Sequence, residues 1–149
     1  MSDKPSMLFT CVHNSGRSVA SAALARHYAG DAVAVSDAGS QPSGEVNPVI
    51  AYVLAEVGLP VTGHTATRLD YDLVDAADVV ITLGCSEACP AVPDKRIVDW
   101  PVEDPKGQDP ATVRRIVADL DTRVRVLLGE LAPQLTLPPS VLQAHPDHR

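Results

Sequence analysis

A chain of 149 residues with 45% hydrophobic and 21% charged residues has room for one domain with a sizeable core, which excludes a disordered or collagen-like chain. With 3% aromatics and a net charge of −7, it has few rings to stack on bases and no basic field for a phosphate backbone, so nucleic acid is not expected as a partner. No run approaches the ~18 apolar residues of a membrane helix, and Met1 to Ser6 lacks a signal-peptide layout, so a cytoplasmic, reducing compartment is expected.

Met7 to Thr10, ending in Cys11, is a short apolar run that predicts a buried strand. Asn14 to Ser18 is a polar turn, and the Ala- and Leu-rich segment Val19 to Tyr28 predicts a helix stopped at Gly30. Ala32 to Ser36 predicts a second strand. Gly39 to Pro48 is loop, and Val49 to Val57 is a helix stopped at Gly58. His64 to Ala77 holds a loop and a short helix, and Asp78 to Leu83 is the clearest strand. Lys95 to Trp100 predicts a fourth strand, and Pro101 to Pro110 a loop. From Thr112 to Leu131, apolar residues at 113, 116, 117, 120, 124, 127, 128 and 131 follow the spacing of an amphipathic helix. Alternating strands and helices predict an α/β domain with a four-stranded parallel sheet flanked by helices. The expected domain spans 1–132, followed by a Pro-rich tail over 133–149, read as an extended segment along the surface.

Chemistry concentrates first in Cys11-Val12-His13-Asn14-Ser15-Gly16-Arg17-Ser18. A cysteine at a strand end, a short turn and a helix start form an anion-binding geometry. Backbone N–H groups of the turn, Val12 to Arg17, can point at oxygens, and the helix N-terminus adds a positive dipole. Arg17 supplies a planar fork suited to a tetrahedral oxyanion. The same field favours a negatively charged sulfur at Cys11, the form that acts as a nucleophile. Ser18 can donate to that sulfur, and Asn14 suits a left-handed turn position.

Three cysteines cannot form a fully paired disulfide set, which leaves core thiols, a metal site or redox chemistry. Cys85 and Cys89 follow the third strand; the carboxyl ends of neighbouring parallel strands share one rim, so Cys85 can approach Cys11, with Cys89 one helical turn further out. The histidines show no ligand spacing with the cysteines, so no metal is expected; a zinc site from Cys85 and Cys89 lacks a second ligand pair.

Cys-x5-Arg-Ser after the first strand, with Glu103-Asp104-Pro105 ahead of the last helix, resembles the low-molecular-weight protein tyrosine phosphatase family over roughly residues 7–131. The resemblance implies a phosphatase-like three-layer domain with Asp104 as the general acid. Residues 82–90, Thr-Leu-Gly-Cys-Ser-Glu-Ala-Cys-Pro, are similar to the thioredoxin-coupled arsenate reductases built on that fold. This likeness implies arsenate as substrate and Cys11 as the nucleophile. Cys85 and Cys89 then carry the oxidation outward in turn, with Gly84 as a hinge. It also implies no bound cofactor and thioredoxin as the external thiol reductant. Gly16 stands where the phosphatases carry a second loop cysteine, and Lys106 where they offer an aromatic wall for a phosphotyrosine ring. Ala22 and Thr67 stand at positions acidic in relatives that bind potassium, so no potassium site is expected. Three readings stay open beside this one: a tyrosine phosphatase, a reductase served by mycothiol and mycoredoxin, and an oxyanion- or redox-sensing protein without turnover.

Overall fold

A computed structural model describes residues 4–42, 45–61, 64, 66–83 and 96–142. The elements in chain order are β1 (Ser6–Cys11), α1 (Arg17–Ala29), β2 (Ala34–Gly39), α2 (Pro48–Glu56), α3 (Tyr71–Ala76), β3 (Val79–Thr82), β4 (Arg96–Asp99) and α4 (Pro110–Leu131). The four strands form one sheet in the order β2-β1-β3-β4, with every pairing parallel. Because all strands run the same way, Cys11, Gly39, Thr82 and Asp99 come to one rim.

β1 lies inside the sheet and is covered on both faces, which explains its unbroken apolar run. The two-residue period of a strand then divides its side chains between layers. Met7, Phe9 and Cys11 join Val79 and Ile81 in the large core, packed with residues of α1, α2 and α4. Leu8 and Val80 face the other way, into a smaller core with Val74 of α3. The result is a helix–sheet–helix sandwich.

Each helix after the first starts on a side-chain cap. Asn47 accepts from the N–H groups of Val49 and Ile50, Asp70 from Leu73 and Asp109 from Thr112. Pro48 and Pro110 occupy first-turn positions, where a missing N–H costs nothing. α1 begins at Arg17, ahead of the expected Val19, and buries small residues such as Ser18, Ala20, Ser21 and Ala22. Those small side chains let it lie close between the sheet and α4.

β2 runs Ala34–Gly39 rather than the expected 32–36. Asp37 and Gly39 carry little strand propensity, but pairing Ser6 with Ala34 through Cys11 with Gly39 imposes the extended backbone on them. Val33, read as strand, instead packs into the large core just before it.

After α4 the chain turns back. Arg125 donates to the Pro138 carbonyl at 2.8 Å, and the Ser140 hydroxyl donates to the buried Asp121 at 2.8 Å. Among the described residues no helix is long and apolar enough to cross a membrane.

Candidate active site

Cys11 ends β1 only 5% exposed, and Val12 to Gly16 form the turn between it and α1. The turn is tied outward by its carbonyls. Those of Cys11 and Val12 accept from Ser40 and Gln41 at 3.1 and 2.7 Å, and that of Ser15 accepts from Asn47 at 2.7 Å. His13 adds a contact from Nδ1 to the Gln41 carbonyl at 3.1 Å. Among the described residues, no backbone carbonyl takes the N–H groups of residues 13–16. Together with the open first turn of α1, they remain for an anion.

Asn14 holds the turn. It sits at φ 53°, the left-handed region expected from its residue type. Its Oδ1 accepts the Thr67 N–H at 2.9 Å, which fixes the amide's orientation. Its Nδ2 donates to Ser18 Oγ at 2.9 Å and to Asp37 Oδ2 at 2.8 Å. Ser18 Oγ lies 2.9 Å from Cys11 Sγ. Among the described residues the serine proton has no other acceptor, and when Cys11 carries a negative charge this proton donates to the sulfur and stabilises it.

Asp37, Arg26 and His64, which no motif marks in the sequence, carry this arrangement. Asp37 Oδ1 pairs with Arg26 Nη2 at 3.0 Å, and its Oδ2 meets His64 Nε2 at 2.7 Å. Burial pushes the Asp37 carboxyl up. The hydrogen bonds from Asn14, His64 and Arg26 together outweigh that effect and hold it below the usual carboxylate range. Gly39 is also required. A Cβ there would lie 2.7 Å from the Val12 oxygen and 2.8 Å from the Asn14 nitrogen, both backbone atoms.

Arg17 reaches from the start of α1 to the loop before α4. Its Nη1 donates to the Val102 carbonyl at 2.7 Å, and its Nη2 lies 3.8 Å from Asp104 Oδ2. Asp104 is 61% exposed, and its Oδ1 accepts the Lys106 N–H at 3.0 Å. A Cβ at Gly16 would lie 3.1 Å from Pro105 Cγ, so glycine there lets the Asp104–Pro105 turn lie close against the loop. Cys11, Arg17 and Asp104 thus line one cavity of about 680 Å³, with Asn47, Lys106 and Gln108 on its walls. No Phe, Tyr or Trp is among its described lining residues. Among the described residues no group of His, Cys, Asp and Glu is arranged to hold a metal. Cys85, Cys89 and Gly84, the expected hinge, lie outside the described residues.

Residues 6–137 match the family model of the low molecular weight phosphotyrosine protein phosphatases. This chain belongs to that family. Within the phosphatase family it is similar to an arsenate reductase of Bacillus cereus, 33% identical over 84% of this chain and 95% of the relative. Among solved structures it is similar to a thioredoxin-dependent arsenate reductase of Corynebacterium glutamicum, with a TM-score of 0.77 and 38% identity over 89% of this chain. This chain spans 64% of that neighbour's length. An arsenate reductase of Archaeoglobus fulgidus is similar at a TM-score of 0.72 and 32% identity, covering 83% of this chain and 98% of the other. The four-stranded parallel sheet flanked by helices is therefore the phosphatase-family architecture.

Proposed function

We propose that this protein is a cytoplasmic arsenate reductase working through a disulfide relay. The observation that carries the chemistry is the convergence of Cys11, Arg17 and Asp104 on one cavity. Arsenate sits on the N–H groups of the turn and on the Arg17 fork. The Cys11 sulfur attacks arsenic, and the displaced oxygen leaves as water with a proton from Asp104. Cys85 then attacks the Cys11 sulfur. A disulfide forms between them, the sulfur–arsenic bond breaks with its electron pair left on arsenic, and arsenite departs. Cys89 attacks Cys85, which frees Cys11 and leaves a Cys85–Cys89 disulfide. The dithiol of thioredoxin reduces that disulfide by exchange. The similarity to arsenate reductases supports this reading over a phosphatase. So does a cavity whose described lining has no aromatic side chain to flank a phosphotyrosine ring.

The test is arsenite release with thioredoxin. Cys11→Ser should abolish turnover, because a serine hydroxyl is not ionised near neutral pH. Cys89→Ser should release about one arsenite per chain and trap Cys11 in a disulfide with Cys85, since exchange needs an attacking thiolate in contact with the target sulfur. Aryl-phosphate hydrolysis without arsenite would assign a phosphatase. Full turnover of Cys85→Ser with mycothiol and mycoredoxin would make the relay dispensable.

A further inference from the structure

The cavity has an electrostatic difficulty. The chain carries a net charge of −7, so its long-range field repels a dianion. Arg17 does little to reverse this at the mouth. One of its nitrogens is committed to the Val102 carbonyl and another faces the Asp104 carboxylate. Asp104 itself is largely exposed. Glu103 lies on the same loop, with its carboxylate accepting from Gln108 Nε2 at 3.2 Å.

Lys106 lies on the cavity wall and is exposed. Its position is set by a tight turn. The Lys106 N–H donates to Asp104 Oδ1, Gly107 takes φ 75°, and the Gln108 N–H donates to the Pro105 carbonyl at 3.1 Å. Among the described residues no carboxylate lies within ion-pair distance of its ammonium. Among the described residues it is therefore a cation without a carboxylate partner, on the wall of the cavity that holds Cys11.

We propose that Lys106 is the anion-recruiting residue of this site, raising the local concentration of free oxyanions at the cavity mouth against the acidic field of the protein. For arsenate this rests on the proposed function. The physical claim is that an anion reaching Cys11 gains from the Lys106 charge and a neutral molecule does not. Lys106 is a positioning residue, since it acts before the chemistry.

Alkylation of Cys11 tests the claim without arsenate. Iodoacetate is an anion and iodoacetamide is neutral, and peptide mapping reads Cys11 separately from Cys85 and Cys89. Lys106→Met should slow iodoacetate roughly threefold at low ionic strength, as expected for one unit charge at close range in water. It should leave iodoacetamide unchanged, and Lys106→Arg should restore the iodoacetate rate. The difference should vanish in about 1 M salt, where the screening length is about 3 Å. With dianionic arsenate and thioredoxin, kcat/KM should fall roughly tenfold at low salt. Equal slowing of both reagents would make Lys106 merely structural, and slowing of neither would remove it from recruitment; either result overturns the proposal. Absence of arsenate turnover in the unmodified protein would overturn the proposed function instead, with the charge discrimination at Cys11 still deciding the role of Lys106.

Discussion

Asn14 commits its amide oxygen to the Thr67 N–H and its NH₂ to Ser18 and Asp37, so one end of the amide meets a carboxylate. Asp37 faces Asn14, His64 and Arg26, and its side chain is only 7% exposed. Asparagine at 37 would keep one acceptor oxygen and turn an NH₂ toward other donors. Asp37→Asn should cost about 1–3 kcal/mol at neutral pH, the range for leaving buried polar groups unpaired. Little of that comes from Arg26, which is half exposed and solvent-screened. The pH dependence has a fixed sign. The folded-state carboxyl is held below its ordinary value, so its stabilisation is present above the unfolded value near pH 4 and is lost as pH falls through the folded one. Urea unfolding should show a gap between the two proteins at neutral pH that narrows below about pH 4. A constant gap would mean that the charge is irrelevant. At this scale the sequence shows Asn14, because residue type alone predicts its backbone. Asp37 is not legible, because its partners lie 23, 11 and 27 positions away.

Strand and loop constrain each other at one glycine and not at another. Gly39 ends β2 in register with Cys11, and a side chain there would strike the loop backbone. Gly58 also has a special conformation, φ 83°, but a Cβ there meets nothing within 4 Å. Gly39→Ala should therefore displace the anion loop and reduce arsenate turnover about 10²-fold, the scale of a misplaced reacting group. Gly58→Ala should cost about 1 kcal/mol in stability through its backbone alone and leave turnover intact. Thermal melts beside initial rates would separate the two effects, and equal rate losses would refute the assignment. The end of β2 was not legible for the same reason that Gly39 matters. The strand continues through Asp37, Ala38 and Gly39 because β1 offers it partners, not because those residues prefer it.

Across the whole molecule, the tail is anchored to α1 and α4 by a buried polar clasp. Tyr28 Oη donates to Asp121, which is 3% exposed, and accepts the Val141 N–H at 2.9 Å. Ser140 completes the set on the other Asp121 oxygen, and Arg125 lies over the Tyr28 ring with its Cζ 4.8 Å from the centroid. Burial, followed by the Asp121 hydrogen bond, raises the Tyr28 hydroxyl above its ordinary value, against smaller opposing effects of Val141 and Ser140. Stability from the neutral phenol is therefore present below the unfolded value near pH 10 and is lost as pH rises through the folded one. Tyr28→Phe should lower stability by about 1–3 kcal/mol at neutral pH, because Asp121 and the Val141 N–H lose a partner. Above about pH 10 the gap to the unmodified protein should close. Melting curves across that range check this, and a gap that widens would refute it. Proline content predicts an extended tail but is silent about this clasp, whose members Tyr28 and Val141 are 113 positions apart.

The alternation of strands and helices, the cysteine at a strand end and the turn of Asn14 are all legible in the amino-acid order. These rest on interactions that neighbours along the chain can make: hydrophobic periodicity, capping and local backbone preference. Cys85 and Cys89 are also legible there, and their part in the proposed relay is for the cysteine variants to test. The bracing of the loop by Asp37, His64 and Arg26, the need for glycine at 39, the place of Lys106 on the cavity wall and the hold of Tyr28 on the tail appear only in the folded chain. Each of those depends on segments distant in sequence being brought together once β1 lies inside a parallel sheet, where burial makes an unmatched charge or a surplus methyl costly.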